Sequence, residues 1–302
     1  MSAVAVIGIG RIGLPLVRRL VAAGHLVRAH DVRPEVERQV RAAGATWAPR
    51  LADAIAGSEV VLTVLPGSSE LANVALGPEG LLVGLSPGPV WVDLTSAAPD
   101  LATRLAEAAL ARGIAYLDAP LGGGVQAMTD GTVGLYVGGP ASTLAQVRPV
   151  LQAFATEIRH VGGPGAGYLA KLLINALWFG QAVMTAEALL VAQRAGINAS
   201  TMATALGGSA GDGAFAHRHL SALLRGDYLT TFGLDRCVEE LDSVLRFADD
   251  QNLPHPMLTA LTDLHRHALE HFGPVNGELM AVALLEARAG TLLRAEQPDA
   301  DG

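Results

Sequence analysis

The chain has 302 residues, half of them hydrophobic and 17% charged, which is apolar material for about two domains of ~150 residues and excludes global disorder. Its net charge is −8, with 29 acidic against 21 basic residues and no basic run, so neither nucleic acid nor an anionic membrane is an expected partner. The single cysteine, Cys237, excludes an intrachain disulfide and a cysteine-based metal site and fits a reducing compartment.

In chain order, residues 3–7 read as a short apolar strand that lacks the basic region of a signal peptide, so a cytoplasmic location is expected. Residues 11–23 have helical spacing and stop at Gly24, and 26–31 read as a second strand. Residues 34–43 read as a helix with Pro34 in its first turn and Gly44 after its end. Strands are expected at 60–65, 90–94, 115–118 and 133–137, and helices at 99–112 and 142–153. The repeated β-α-β order predicts an α/β fold with a doubly wound parallel sheet of Rossmann type over residues 1–162.

After Gly162-Gly163-Pro164-Gly165 no convincing strand follows. Residues 168–195 are periodic and long, and 200–205, 213–224, 234–250, 256–271 and 276–293 also read as helices. Residues 163–295 are therefore expected to form an all-α domain built on one long helix, with 296–302 a frayed tail. The stretch 168–193 is the most apolar, but it carries Lys171, Asn175, Gln181 and Glu187, which argues for a buried core helix over a membrane span.

Gly8-Ile9-Gly10-Arg11-Ile12-Gly13 fits G-x-G-x-x-G between a strand and a helix. In that context the pattern is a dinucleotide signature. Gly8 makes the tight turn, Gly10 lets the backbone approach a pyrophosphate, and Gly13 lets helix and strand pack closely, with Arg11 and Ile12 in the same loop. The helix N-terminus then presents free N–H groups to the phosphates. Asp31 ends the second strand 18 residues past Gly13, near the place of an acid that bonds the adenine ribose and repels a 2′-phosphate. NAD is thus the expected cofactor, while Arg33 leaves NADP open.

Of the 21 basic residues, 20 are Arg; Lys171 is the one Lys. An Arg-favouring composition that keeps one Lys suggests a task Arg cannot perform, such as giving up a proton. Lys171 and Asn175 are four apart and share a helix face. Hydride transfer to a carbonyl creates an alkoxide that needs a proton, and an ammonium beside it can supply one. A structural lysine at a domain interface is the alternative.

Five blocks in order carry a resemblance to the β-hydroxyacid dehydrogenase family, typified by 3-hydroxyisobutyrate dehydrogenase. They are the glycine loop; Thr63-Val64-Leu65-Pro66; Asp93-Leu94-Thr95-Ser96-Ala97-Ala98-Pro99; Asp118-Ala119-Pro120-Leu121-Gly122-Gly123-Gly124 ahead of Gly131-Thr132 and Gly138-Gly139; and Gly165-x-Gly167-x-x-x-Lys171-x-x-x-Asn175. The resemblance implies Lys171 as general acid/base supported by Asn175. It implies Leu65, Pro66 and Thr95 along the cofactor, and Gly123 and Gly124 as backbone donors to a substrate carboxylate. It also implies a homodimer or homotetramer.

Two positions depart from the family pattern. Gly122 stands where the family usually has a Ser that helps hold substrate. Glu239-Glu240-Leu241 aligns with a Lys-Asp-Leu block, so Glu239 reverses a charge near the active site. An acid there would disfavour a small anionic substrate and favour a neutral or cationic one; a one-turn slip would put Glu239 on a solvated face. Trp178 follows Asn175 by a turn and reads as packing or as a border of the substrate pocket.

Other clusters read as structural. His217 and His219 are two apart, near Asp212, and do not share a helix face, so no metal site is expected. His265, His267 and His271 read as a solvated or subunit-facing helix. Ser96 has no paired His, which leaves a hydrolase unsupported. The leading expectation is an NAD(P)-dependent oxidoreductase acting on a small hydroxy acid or its semialdehyde. An imine reductase on the same fold is the alternative, favoured by Gly122 and Glu239 but disfavoured by Lys171; a non-catalytic dinucleotide-binding protein is the third reading. The helix after Lys171 lacks the His-Asn pair of 6-phosphogluconate dehydrogenase.

Overall fold

The computed structural model describes residues 1–295; the expectation for 296–302 lies outside them. The chain divides into two compact units at Lys171/Leu172.

The first unit begins with β1 (Ala3–Ile7), α1 (Gly13–Ala22), β2 (Leu26–His30), α2 (Glu37–Ala42), β3 (Thr46–Trp47), α3 (Leu51–Ile55) and β4 (Val60–Thr63). It continues through α4 (Ser68–Leu76), α5 (Leu81–Gly84), β5 (Val90–Asp93), α6 (Pro99–Leu110), β6 (Ala115–Asp118), β7 (Leu121–Gly122), α7 (Gly124–Asp130), β8 (Val133–Gly138), α8 (Ala141–Leu151) and β9 (Ala155–Gly162). The sheet runs β3-β2-β1-β4-β5-β6-β8-β7, with β9 paired to β8. From β3 to β6 every pairing is parallel. Every residue of β4 and of β5 is buried, as central parallel strands covered on both faces require.

Strand alternation sorts the core into two layers. Val4, Val6, Leu62 and Val92 face one side with Leu16, Leu20 and Phe154. Ala5, Ile7, Val61 and Trp91 face the other with Leu101, Leu105 and Tyr168. This is the doubly wound α/β arrangement the sequence predicts.

Four details differ from the expectation. The sheet is mostly, not wholly, parallel: β8 runs antiparallel to β6 and β7. β2, β4 and β5 end one or two residues earlier than their apolar runs suggest, whereas β6 ends as expected and β8 runs one residue longer. Asp31, Leu65 and Leu94 leave the ladder to form loops at the strand ends. β9 escapes the sequence reading because it is an edge strand with mostly exposed residues, so its burial pattern has no clean period. The helix expected at 34–43 is a 3₁₀ turn, Pro34–Val36, followed by α2.

The second unit is helical. The long α9 (Ala166–Arg194) begins in the first unit and continues into it, followed by α10 (Ala199–Leu206), α11 (Ala214–Arg218), α12 (Leu220–Leu224), α13 (Leu234–Asp250), α14 (Pro256–Phe272) and α15 (Met280–Ala289). α9 is long and apolar enough to cross a membrane by length and composition. Its residues nonetheless enter two cores: Ala182, Ala186 and Leu189 pack in one, Ala176, Phe179 and Val183 in the other. A helix used on several faces is apolar around most of its circumference. α13 is amphipathic in the ordinary way, burying Leu234, Cys237, Val238, Leu241, Val244 and Ala248. The single helix expected at 213–224 is two, broken at His219, whose φ of −130° leaves the helical region.

Candidate active site

The glycine loop leaves β1 and enters α1. Gly8 has φ +97°, and a Cβ there would lie 2.2 Å from the Val64 carbonyl oxygen. A Cβ on Gly13 would lie 2.0 Å from the Gly8 oxygen, whereas one on Gly10 would meet no protein atom within 4 Å. Gly8 and Gly13 are thus required for the turn itself, and Gly10 faces open space. No side chain caps the α1 N-terminus and no acid lies in its first turn, so its dipole and N–H groups suit a phosphate. The cradle fits a dinucleotide.

Asp31 lies just past β2. Its Oδ2 accepts the Ile9 N–H at 2.7 Å, tying the acid to the glycine loop. Its Oδ1 accepts the Arg33 N–H at 2.9 Å and Arg33 Nε–H at 3.0 Å, while Arg33 Nη2 donates to Asp31 Oδ2 and to the Ile9 carbonyl, each at 3.1 Å. Burial pushes the Asp31 carboxyl up, but the Arg33 side chain and the two backbone N–H groups outweigh it and hold the group below its usual range. Asp31 is therefore an anion at neutral pH, placed at the loop that would receive the nucleotide.

Leu65, Pro66 and Thr95 follow β4 and β5. Thr95 Oγ1 accepts the Leu65 N–H at 3.2 Å, which binds these two strand ends together. Beneath them Asp93 is fully buried. It accepts hydrogen bonds from the Thr63, Thr95 and Tyr168 hydroxyls and from the Thr95 N–H. Beside it Asp118 accepts the Gly165 N–H at 2.9 Å and the Tyr168 N–H at 3.0 Å, capping the start of α9. Burial pushes both carboxyls up to about 6, against the hydrogen bonds that favour the charged forms. In the sequence these two acids stand inside family blocks with no role attached to them. The available signal is a lone Asp at the end of each of two apolar strands.

Gly122 ends β7, and Gly123 and Gly124 carry φ of +99° and +64° into α7. A Cβ at Gly122 would meet the Tyr136 ring at 3.6 Å, an ordinary contact. The backbone therefore leaves room there for a side chain.

Lys171 is half-buried in the second turn of α9, and Asn175 follows one turn later. In the second unit, Asn175 Nδ2–H donates to Glu240 Oε2 at 2.6 Å, and Glu240 is buried. The acid that meets Asn175 is thus Glu240 and not Glu239. Glu239 Oε2 accepts Arg236 Nη1–H at 2.8 Å on a solvated face of α13, because one residue along a helix rotates the side chain by ~100°. Trp178 packs edge-on against Phe179, Phe215 and His219.

The histidines also sort differently from their spacing. His217 Nε2 lies 2.9 Å from Asp212 Oδ2. His265 is a core residue, not a solvated one; its Nδ1 meets the Leu261 carbonyl at 2.9 Å, which satisfies the ring inside the helix packing. Among the described residues, no group of three His, Cys, Asp or Glu could hold a metal ion.

Residues 3–162 match the family profile described as the NAD binding domain of 6-phosphogluconate dehydrogenase, and residues 165–285 match that described as NAD-binding of NADP-dependent 3-hydroxyisobutyrate dehydrogenase. The chain belongs to the β-hydroxyacid dehydrogenase family, of the 3-hydroxyisobutyrate dehydrogenase type. It is 36% identical to a 3-hydroxyisobutyrate dehydrogenase of Pseudomonas aeruginosa and 35% identical to an NAD-dependent L-serine dehydrogenase of the same organism, each over 70% of this chain and 71% of the relative. It is 29% identical to a 3-sulfolactaldehyde reductase of Escherichia coli, over 89% of this chain and 90% of that one. The structure of Mycobacterium tuberculosis 3-hydroxyisobutyrate dehydrogenase with L-serine superposes with a TM-score of 0.85 at 26% identity, covering 94% of this chain and 99% of that one. An imine reductase from Myxococcus stipitatus shares the fold, with a TM-score of 0.60 at 20% identity over 94% of this chain and 99% of that one. The chain is an NAD(P)-dependent oxidoreductase of the class that acts on CH–OH groups.

Proposed function

We propose that this enzyme interconverts a small primary alcohol and its aldehyde, the alcohol carbon lying next to a branched carbon that carries an acidic group. NAD is the preferred cofactor and Lys171 is the proton-transfer residue. The observation that carries this reading is Lys171 itself, the one lysine of the chain, one turn before Asn175 on the helix that Asp118 caps. The substrates named for two relatives, 3-hydroxyisobutyrate and serine, carry a primary hydroxyl beside a carbon bearing a carboxylate, while 3-sulfolactaldehyde is an aldehyde whose acidic sulfonate lies one carbon further out.

The nicotinamide, when bound, supplies or takes the hydride. Lys171 Nζ gives a proton to the developing alkoxide, or takes it from the alcohol in the reverse direction, at the oxygen where charge accumulates. Asn175 supports that lysine, and Glu240 fixes the orientation of its amide. The backbone N–H groups of Gly123 and Gly124 receive the substrate's acidic group. Asp31, held as an anion, favours a ribose with a free 2′-hydroxyl over a 2′-phosphate. The single buried cysteine supports a cytoplasmic location.

The test is NADH and NADPH turnover against 3-hydroxyisobutyrate, L-serine, short carboxylated aldehydes and cyclic imines, with Lys171→Ala alongside. The variant should lose about 10²-fold or more in kcat while keeping its affinity for NADH. Full activity in the variant would refute the role of Lys171. Turnover of imines with none of the alcohols or aldehydes would replace this reading with C=N reduction.

A further inference from the structure

Asp93 sits among neutral donors. Its carboxylate meets three hydroxyls, those of Thr63, Thr95 and Tyr168, and the Thr95 N–H. Burying a carboxylate against neutral donors is costly, and burial indeed pushes the group up to about 6, partly offset by the three hydroxyls. A staple between strand ends does not need that charge, since the parallel ladder already pairs Thr63 with Asp93 and Asp93 with Asp118. The start of α9 does not need it either, since Asp118 caps Gly165 and Tyr168 through their backbone N–H groups.

Asp93 joins two parts of the proposed site. On one side, Thr95 Oγ1 donates to Asp93 at 2.8 Å and accepts the Leu65 N–H at 3.2 Å, so the Leu65–Thr95 wall hangs on this carboxylate. On the other, the Tyr168 hydroxyl donates to it from the first turn of α9, three residues before Lys171. Residues three apart on a helix are neighbours on its surface. A backbone cap fixes where a helix starts; a bond from a ring hydroxyl at the end of a long rigid side chain fixes how far the helix is rotated about its axis.

We infer that Asp93 is a positioning residue. Through the Tyr168 hydroxyl it sets the rotation of the α9 start, and with it Lys171, relative to the Leu65–Thr95 wall. The inference rests on Lys171 acting as proposed above, but one of its two readouts does not depend on turnover.

The experiment compares Tyr168→Phe, which keeps the ring in the core and removes the hydroxyl, with Asp93→Asn and with Tyr116→Phe as the control. The Tyr116 hydroxyl meets Tyr168 at 3.0 Å, and Tyr116 is not among the groups bonded to Asp93. Two quantities are read: kcat and KM for the substrate turned over best, and the rate at which trinitrobenzenesulfonate labels Lys171 as a function of pH. Because Lys171 is the one lysine, peptide mapping need only separate it from the N-terminal amine. Tyr168→Phe should lose about 10²-fold in kcat with KM changed by about twofold at most, as misplacement of a reacting group predicts. Its labelling profile should be displaced along the pH axis, and NADH affinity should be retained. Asp93→Asn should behave alike, and the double variant should lose no more than the worse single one. Tyr116→Phe should match the parent in both readouts.

An unchanged kcat or an unchanged labelling profile in Tyr168→Phe, with only Tm lowered, overturns the inference and leaves the bond a structural one. Should Tyr168→Phe fail to fold, Asp93→Asn is read by the same two quantities, and the same outcomes support or overturn the inference. If Lys171→Ala proves active, the proposed mechanism falls, while the labelling profile still reports whether the link positions Lys171.

Discussion

The glycine loop makes opposite predictions for two residues three apart. At Gly13 an added Cβ would sit 2.0 Å from the Gly8 carbonyl oxygen, and Gly8 is itself held by its N–H, which donates to the His30 carbonyl at 2.9 Å. Neither backbone can retreat by the more than 1 Å needed to reach a normal contact of about 3.4 Å, so Gly13→Ala should cost about 3 kcal/mol or more. At Gly10 the added Cβ meets no protein atom within 4 Å, and Gly10 is not among the glycines at positive φ. Gly10→Ala should therefore leave stability unchanged or raise it by about 0.4–1 kcal/mol through the unfolded chain. The methyl would instead enter the open space assigned to a bound pyrophosphate. Affinity for NADH should fall about tenfold or more, and at a fixed NADH concentration well above Kd, the stabilisation by ligand should shrink by about 1.4 kcal/mol per tenfold. Urea unfolding of both variants with and without NADH, together with a fluorescence titration, measures each quantity. A Gly10→Ala protein that binds NADH like the parent would refute the assignment of this loop. So would a Gly13→Ala protein of parental stability.

Three further outcomes follow from the site. Asp31→Asn should weaken NADH relative to NADPH by about 10-fold or more, the scale of a hydrogen bond to a charged group; an unchanged ratio in paired titrations removes Asp31 from nucleotide selection. Gly122→Ser should fold normally, since its Cβ meets Tyr136 at an ordinary 3.6 Å. It should lower KM for a carboxylated substrate by about 2–10-fold through one added hydrogen bond, and an unchanged KM would show that the hydroxyl does not reach the substrate. Asp118 gives a pH dependence: its carboxyl stands at about 6 in the folded chain against 3.8 ordinarily, so the folded state holds the proton more tightly. The associated penalty is absent below pH ~4, grows as pH rises toward about 6, and is complete above that, with a ceiling of about 3 kcal/mol. Asp118→Asn should flatten this part of the stability–pH curve, leaving the same-signed contribution of Asp93, even as the loss of an acceptor lowers stability overall. An unchanged slope in urea unfolding across that pH range would count against the buried-carboxylate assignment.

The sequence by itself determined the architecture and the dinucleotide-binding class of the first unit. Short apolar runs between turn residues and G-x-G-x-x-G are local patterns, and the physics behind them is local: a buried strand, a turn without Cβ, an acid at a strand end. Lys171, the proposed proton-transfer residue, stands out for a compositional reason, as the one lysine among many arginines. Edge strand β9 and the short helices α3, α5 and α7 were not legible, because exposed or very short elements carry little periodic signal. Tertiary structure alone decided which of Glu239 and Glu240 meets Asn175, since a choice between adjacent helix positions turns on ~100° of rotation that no alignment fixes. It alone placed His265 in the core and brought Asp93 and Tyr168, 75 residues apart, into one hydrogen bond. A contact of that span depends on how strand ends and helix starts converge in space, and sequence spacing holds no record of that convergence.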